Sequence, residues 1–393
     1  MAKSIRQFLP QLFAEFLESE QASGVILIVC TLISLLIASS PDGKDYAAIW
    51  HVELGFDTGP IHLKHSLEFW INDGLMTIFF LLIGLEIEQE IYVGKLSDLR
   101  NALLPIFAAI GGMTVPALIH FGLNHGLPTQ SGFGVPMATD IAFSLGVLAL
   151  LGSRIPLALK VFLTALAIID DLGAIVVIAL FYSSNFSLVY LLLALGVFAA
   201  LLVLNRMGVR SLAVYLIAGV FMWYFMLQSG VHATLAGVLL AFAIPFGDGG
   251  EDSPSYKLQH ALHKPVAFSI MPLFALANTV ISLAGDWATN LITLNTAGIF
   301  AGLVVGKPLG IILASRVAVA LGISNLPEDV SWKHLIGAGL LGGIGFTMSI
   351  FITLLAFDDL GVVERSKIVI LFSSLIAGTA GFVWLRYSAT QKT

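Results

Sequence analysis

The chain has 393 residues, 58% hydrophobic and 11% charged, with a formal net charge of -6. Soluble domains carry about 25% charged residues, so a chain this apolar, with mean hydropathy +0.94, reads as an all-α polytopic membrane protein. The absence of a basic patch argues against nucleic acid, and a single cysteine, Cys30, excludes an intramolecular disulfide and a cysteine-based metal site.

Taken in chain order, long apolar runs predict twelve transmembrane helices, at about 14–39, 67–91, 103–123, 132–151, 157–182, 187–205, 211–227, 230–246, 260–284, 295–315, 335–357 and 366–387. The first begins too far behind Lys3 and Arg6 for a cleaved signal peptide and is read as a retained span. Between the first two spans, WHVELGFDTGPIHLK (50–64) alternates and turns at Asp57-Thr58-Gly59, as either a small outer β-hairpin or a plain loop. GDGGEDSPS (247–255) is a polar linker, with no soluble domain attached, so 1–393 reads as a single transmembrane domain. Placing the N-terminus inside puts fourteen Lys and Arg residues on the inner side and four on the outer, which predicts both termini in the cytoplasm. The remaining cation, Lys307, lies near the middle of the tenth span.

Asp140 in span 4 and the adjacent Asp170 and Asp171 in span 5 are similarly placed. Each ionised group at a span centre costs about 2.5–3.5 kcal/mol or more. One carboxylate paired with Lys307 would serve structure alone. Three carboxylates against one lysine leave two over, and such residues mark ion pathways. Neighbouring helix positions are turned by about 100°, so Asp170 and Asp171 do different jobs while titrating as a coupled unit. A carboxylate ligates a hard cation and its protonated form does not. Proton and cation therefore compete, and a site that alternates its exposure while loaded with one or the other is an antiporter.

Two spans are interrupted: span 4 by Gly134 and Pro136, span 11 by Gly342, Gly343 and Gly345. Glycine and proline are common in membrane helices, but these two lie in matching places of segments with opposite direction, about 103–182 and 295–387. That pattern predicts inverted-topology repeats with two broken helices around an ion site. Half-helix N-termini are partly positive and C-termini partly negative; Asp140 could offset the first and Lys307 the second. Asp73, toward the outer end of span 2, either caps a helix or serves an exit path.

FWINDGLMTIFFLLIGLEIEQE (69–90), PMATDIAFSLGVLALLGSRIPLALKVFLTALAIIDDLGAI (136–175), SGVHATLAGV (229–238), GKPLGI (306–311) and GIGFTMSIF (343–351) resemble bacterial NhaA-type sodium/proton antiporters along essentially the whole chain. The resemblance implies a protein of the bacterial cytoplasmic membrane that exports Na+ and Li+ for a larger number of H+, is electrogenic and pH-regulated, and needs no cofactor besides the transported ions. It assigns cation and proton binding to Asp170 and Asp171, with Asp171 the more direct ligand. Asp140 and Thr139 would lie where the broken helices cross, and Lys307 would pair with Asp170 and release it as protons move. It implies a homodimer joined through the 50–64 hairpin. His232 would modulate the pH response, or is simply a packed histidine at a helix start.

The sequence departs from the family pattern at the entrance expected to sense pH. The family often has a glutamate immediately before His260; here Gln259 precedes His260 and His263 in KLQHALH. Glu88 and Gln89 stand where basic residues can occur, between Glu86 and Glu90, themselves pH-response candidates or a solvated acidic rim. These changes leave the ion site intact and predict a shifted activation profile. Among other classes, an intramembrane aspartyl protease would want Gly-x-Gly-Asp, which is absent; a prenyltransferase would want Asp-rich diphosphate motifs, whereas Leu-Gly-Ala follows Asp170-Asp171. A channel would want repeated filter loops.

Overall fold

The computed structural model describes residues 22–390 apart from 60, 95–96, 98, 184–185, 284–287, 289–290 and 328. The start of the expected first span, 14–21, and both termini lie outside the described residues. Helix follows helix in the order α1 Ala22–Ala38, α2 Gly43–Trp50, α3 Leu67–Tyr92, α4 Leu99–Asn124, α5 Ile141–Ala149, α6 Leu157–Phe181, α7 Leu188–Arg206, α8 Leu212–Gln228, α9 Leu235–Ala243, α10 (254–278), α11 Leu294–Ala320, α12 Trp332–Gly342, α13 Phe346–Ala356 and α14 Leu360–Thr390. Among the described residues, seven helical segments are long and apolar enough to cross a membrane, and the pair α12–α13, bent by 45°, makes an eighth. Helices α1 and α8 are shorter apolar helices. Only 11% of the apolar window of α7 is buried, as suits a helix whose solvent is lipid.

Several expected boundaries move, the last span among them, which begins at Leu360 rather than 366. Residues 230–246 do not form one long helix: α9 has nine residues, about 14 Å of a hydrocarbon core of about 30 Å. Gly230, at φ +78°, turns the chain before it. The helix expected at 260 starts instead at Pro254, because Ser253 caps it by accepting the Tyr256 N–H at 3.1 Å and Pro254 fits the first helical position. The expected linker at 247–255 is shortened accordingly. Span 4 is a 3₁₀ segment, Pro128–Met137, followed by extended residues 138–140 and then α5.

The described chain forms two compact units, each assembled from separated stretches. The first takes 22–30, 100–170 and 291–390. In it both stretches after residue 99 and after residue 293 run continuous helix, interrupted segment, continuous helix. Close approach of α4 to α11 needs glycine on both sides: a Cβ on Gly111 would lie 2.3 Å from the Gly310 carbonyl oxygen, and one on Gly310 would lie 2.1 Å from that of Gly111.

The second unit takes 31–99 and 171–290. Its core gathers Leu81 and Leu85 of α3, Leu201 of α7, Tyr215 and Met222 of α8, and Leu240 of α9. Strands β1 Glu53–Leu54 and β4 His65–Ser66 pair antiparallel, as do β2 Asp57–Thr58 and β3 Ile61–His62. Asp57 and Thr58 are thus strand residues, and the chain reverses beyond them, with Gly59 at φ +61°. Lys64 and Glu53 bridge this ribbon at 2.7 Å, and the carboxylate holds the Lys64 ammonium above the usual lysine range.

Helices α3 and α9 touch backbone to backbone at Gly237, where a Cβ would fall 2.2 Å from the Thr77 carbonyl oxygen and 2.9 Å from the Leu81 nitrogen. Gly237→Val should destabilise the protein by about 1–3 kcal/mol, as overpacking does. Its thermal midpoint in detergent should fall by several degrees, whereas Gly196→Val, which meets nothing within 4 Å, should leave it unchanged.

Candidate functional site

The two interruptions expose helix ends whose backbone groups have no partner in their own helix. In a membrane interior each such group needs one from elsewhere. The first unit supplies them by making the breaks satisfy each other. The Asp140 N–H donates to the Ile344 carbonyl at 2.7 Å. Thr139 Oγ1 lies 2.9 Å from the Gly342 carbonyl, the end of α12. Ser144 Oγ donates to the Leu341 carbonyl at 2.9 Å, and Ser349 Oγ donates to the Val135 carbonyl at 2.7 Å. These last two bonds are reciprocal: a serine in the second half of each broken segment holds a carbonyl in the first half of the other.

The positive ends are capped by Asp140. Its Oδ1 accepts the Phe143 N–H at 3.0 Å, at the start of α5. Its Oδ2 accepts the Thr347 N–H at 3.0 Å, at the start of α13, and also the Thr347 hydroxyl. Ser374 Oγ of α14 accepts the Phe346 N–H at 3.1 Å. One carboxylate thus neutralises two half-helix dipoles, and both its oxygens are engaged by protein donors.

Lys307 opposes it. The side chain is fully buried, its Nζ is 2.8 Å from Asp170 Oδ2, and it donates to the Met137 carbonyl, the last residue of the 3₁₀ segment. Its reach follows from local sequence. Gly302–Gly306 forms a π-turn in α11, a distortion that re-aims the residues after it. The glycines let it lie on the broken segment, since a Cβ on Gly302 would be 2.6 Å from Pro136 Cβ.

Thr139 Oγ1 is 2.7 Å from the same Asp170 oxygen. The cluster therefore runs from Asp170 through Thr139 to the end of α12, and from Asp170 through Lys307 to the end of the 3₁₀ segment. Asp171, one position along α6, is buried to 1% exposure. Among the described residues no group of three or more His, Cys, Asp or Glu has the arrangement of a resident metal centre.

The other sequence candidates lie in the second unit. Asp73 sits inside the π-turn Trp70–Leu75, and the cap of that helix is Ser66, which accepts the Phe69 N–H at 3.2 Å. The capping reading of Asp73 is therefore replaced; its carbonyl accepts the Thr77 hydroxyl and the Trp223 indole N–H. Glu86 and Glu90 are half-buried rather than a solvated rim. Glu88 is buried, with the Ser255 hydroxyl donating to it at 3.3 Å. His232 is half-buried, and its Nε2–H donates to the Tyr182 carbonyl at 2.7 Å. His260 is exposed and stacked parallel to Tyr256, while His263 is half-buried.

Sequence reading missed Ser144, Thr347, Ser349 and Ser374. A signal existed for three of them: a hydroxyl residue follows each interruption within a turn or two, in TDIAFS and GFTMS. It also missed a buried relay in which His120 Nε2 meets Asn295 Oδ1 at 3.0 Å and Asn295 Nδ2 donates to Ser366 Oγ at 2.8 Å.

The family profile described as Na+/H+ antiporter 1 matches residues 14–385. The chain is 60% identical over 383 residues to the Na(+)/H(+) antiporter NhaA of Dechloromonas aromatica, with 96% of each chain covered. It is 60% identical over 376 residues to the protein of that name from Flavobacterium psychrophilum, again with 96% of each covered. The protein so named from Cytophaga hutchinsonii is 58% identical over 381 residues, which is 97% of this chain and 96% of the relative.

Removing one member of a buried ion pair strands the other, at a cost of about 3–5 kcal/mol. Lys307→Met should therefore lower the thermal midpoint in detergent markedly. Asp170→Asn together with Lys307→Met should recover most of that loss, and a double-mutant cycle reads the coupling.

Proposed function

The chain belongs to the Na+/H+ antiporter 1 family, and we propose that it exchanges Na+, and Li+ as a second cation, for a larger number of protons across the bacterial cytoplasmic membrane. The observation that carries this reading is the buried Lys307–Asp170 pair, joined through Thr139 to the end of α12 and through Lys307 to the end of the 3₁₀ segment. Besides that pair, the carboxylates of Asp140 and Asp171 are also buried. Asp140 is engaged by half-helix donors, so its role here is charge compensation more than ion ligation. Asp171 takes the cation directly, as the family resemblance implies, with Asp170 and Thr139 completing the shell.

Competition gives the coupling. Sodium prefers carboxylate oxygens that have lost their protons. Loading one sodium ion displaces the proton of Asp171 and a second one shared between Asp170 and Lys307, so charge moves in each cycle. Reloading with protons restores the Lys307–Asp170 arrangement at the breaks. Crossing only when loaded with one or the other makes the exchange obligatory.

The remaining architecture is proposed in the same terms: twelve spans, both termini in the cytoplasm, and the stretches 103–182 and 295–387 as inverted repeats whose broken helices cross at the ion site. The 50–64 ribbon joins two protomers. Glu86, Glu90, His232, His260 and His263 tune the response to pH, and Asp73 lies on the outer exit path. The comparisons with Na(+)/H(+) antiporters support this reading, as does the apolar surface of helices such as α7.

Purified protein in liposomes tests it directly. Added sodium should drive protons in the opposite direction to sodium and in fixed proportion to it through the neutral range, and Asp171→Asn should reduce that signal to the level of empty liposomes. Sodium flux without proton counterflow would replace the antiporter by a channel.

Gln259 is half-buried in the polar first part of α10, one residue from His260. Restoring a carboxylate there by Gln259→Glu should move the pH at which exchange switches on. An unmoved profile would remove this helix from the pH response.

A further inference from the structure

The second broken segment starts on a capping box that includes a histidine. Ser331 Oγ accepts the His334 N–H at 3.4 Å, and His334 Nδ1 accepts the Ser331 N–H at 3.2 Å. Glutamate or glutamine ordinarily stands in the place of His334 and returns the second bond. An imidazole nitrogen accepts a hydrogen bond only while it carries no proton. The box therefore needs the neutral ring, with its proton on Nε2. In that form Nδ1 is the basic nitrogen, so an arriving proton and the Ser331 N–H compete for one lone pair. Protonation breaks half of the box and sets a positive charge at the partly positive start of α12.

We propose that Ser331 and His334 form a pH-sensitive cap on the second broken segment, closed while His334 is neutral and opened when it is protonated. The cap is present above the titration of this histidine and is lost as pH falls through it. Its role in transport rests on the reading of the chain as a pH-regulated antiporter. The other pH-response candidates, Glu86, Glu90, His232, His260 and His263, lie in the second unit, whereas this cap lies in the first.

The capped helix leads straight to the ion site. It has 11 residues, about 16 Å of helix, and helices this short are marginal by themselves. At its far end the Leu341 carbonyl accepts from Ser144, and the Gly342 carbonyl meets Thr139. Its flanks are tightly seated: a Cβ on Gly337 would lie 2.3 Å from Leu385 of α14, and one on Gly339 would lie 3.3 Å from Pro308 of α11. A first turn that frays leaves about two turns to hold those carbonyls in place.

His334 itself is buried, at 4% exposure. Three helices pack against α12. From α11, Arg316 places its guanidinium 5.3 Å over the Trp332 ring, while Lys307 is engaged at the ion site. From α14, Arg386 and Tyr387 follow Trp384, whose indole N–H donates to the Lys333 carbonyl at 2.8 Å; Glu364, Arg365 and Lys367 stand toward the other end of that helix. Helix α5 carries no titratable side chain. Lys333 and, in the preceding loop, Asp329 complete the charged groups near this end among the described residues. Arg316, Arg386, Tyr387, Lys333 and Asp329 are all exposed. Histidine is the residue type among them whose ordinary charge change falls between about pH 5 and 8.

Amide hydrogen exchange of residues 331–336, corrected for the intrinsic pH dependence of exchange, tests the cap without transport. Wild-type protection should fall about fivefold from about pH 8 to pH 5, the loss of one helix cap. His334→Gln keeps an acceptor at every pH and should hold the high protection throughout. His334→Leu should show the low protection at both ends of the range. An equal fall in wild type and His334→Gln, or no fall in wild type, overturns the cap.

In liposomes, His334→Gln should keep about twice the wild-type fraction of its alkaline exchange rate near pH 6. An equal fraction overturns the regulatory role. A wild type that moves no protons against sodium instead defeats the antiporter reading, and amide protection then judges the cap alone.

Discussion

A backbone that stops being helical inside a membrane must find hydrogen-bond partners for the groups it frees, and most of this protein's first unit is arranged to provide them. Two segments break. Each break lends groups to the other: the Asp140 N–H to Ile344, Ser144 to Leu341, Ser349 to Val135. Unsatisfied groups in that medium would cost several kcal/mol apiece. Neither break is therefore stable without the other, and the pair behaves as one structural object. Charge follows the same rule, with Asp140 on two positive helix ends and Lys307 on a negative one.

This economy places chemistry and support in the same atoms. Lys307 is at once the counter-charge of Asp170 and the donor that finishes the 3₁₀ segment. Thr139 is at once a neighbour of the carboxylate and a donor to α12. The groups around Asp170 therefore also hold up helix ends. Glycine and the π-turn at Gly302–Gly306 contribute by closeness, letting α11 lie on the broken segment so that a buried lysine reaches it.

Much of this was legible beforehand. Hydropathy located most of the long helices, but it missed α2, placed the start of α14 at 366 rather than Leu360, and failed around 230–260, where Gly230 and the Ser253 cap override an apolar profile. The four intramembrane charges stood out because their cost demands an explanation, and all four are buried. The interruptions at Gly134–Pro136 and Gly342–Gly345 were visible as composition. Less legible were the residues whose chemistry is ordinary. Serine and threonine are common in membrane helices, so Ser144, Thr347, Ser349 and Ser374 carried no alarm. Glu88 read as one acid among three, yet it is the buried one, with Ser255 donating to it. Asp73 read as a possible cap and is not one, since the helix begins earlier, at Ser66.

What the sequence by itself determined was the solvent, the number and rough position of apolar runs, and the short set of charges that could matter. These follow from transfer free energies, which depend on a residue and its near neighbours. Tertiary structure alone decided who bonds whom. Thr139 meets Gly342 across 203 positions, Asp140 meets Thr347 across 207, and Lys307 meets Met137 across 170. A freed backbone group specifies that it needs a partner and leaves the partner's identity open. Only the packing of segments far apart in the chain brings one particular hydroxyl, carboxylate or ammonium within reach.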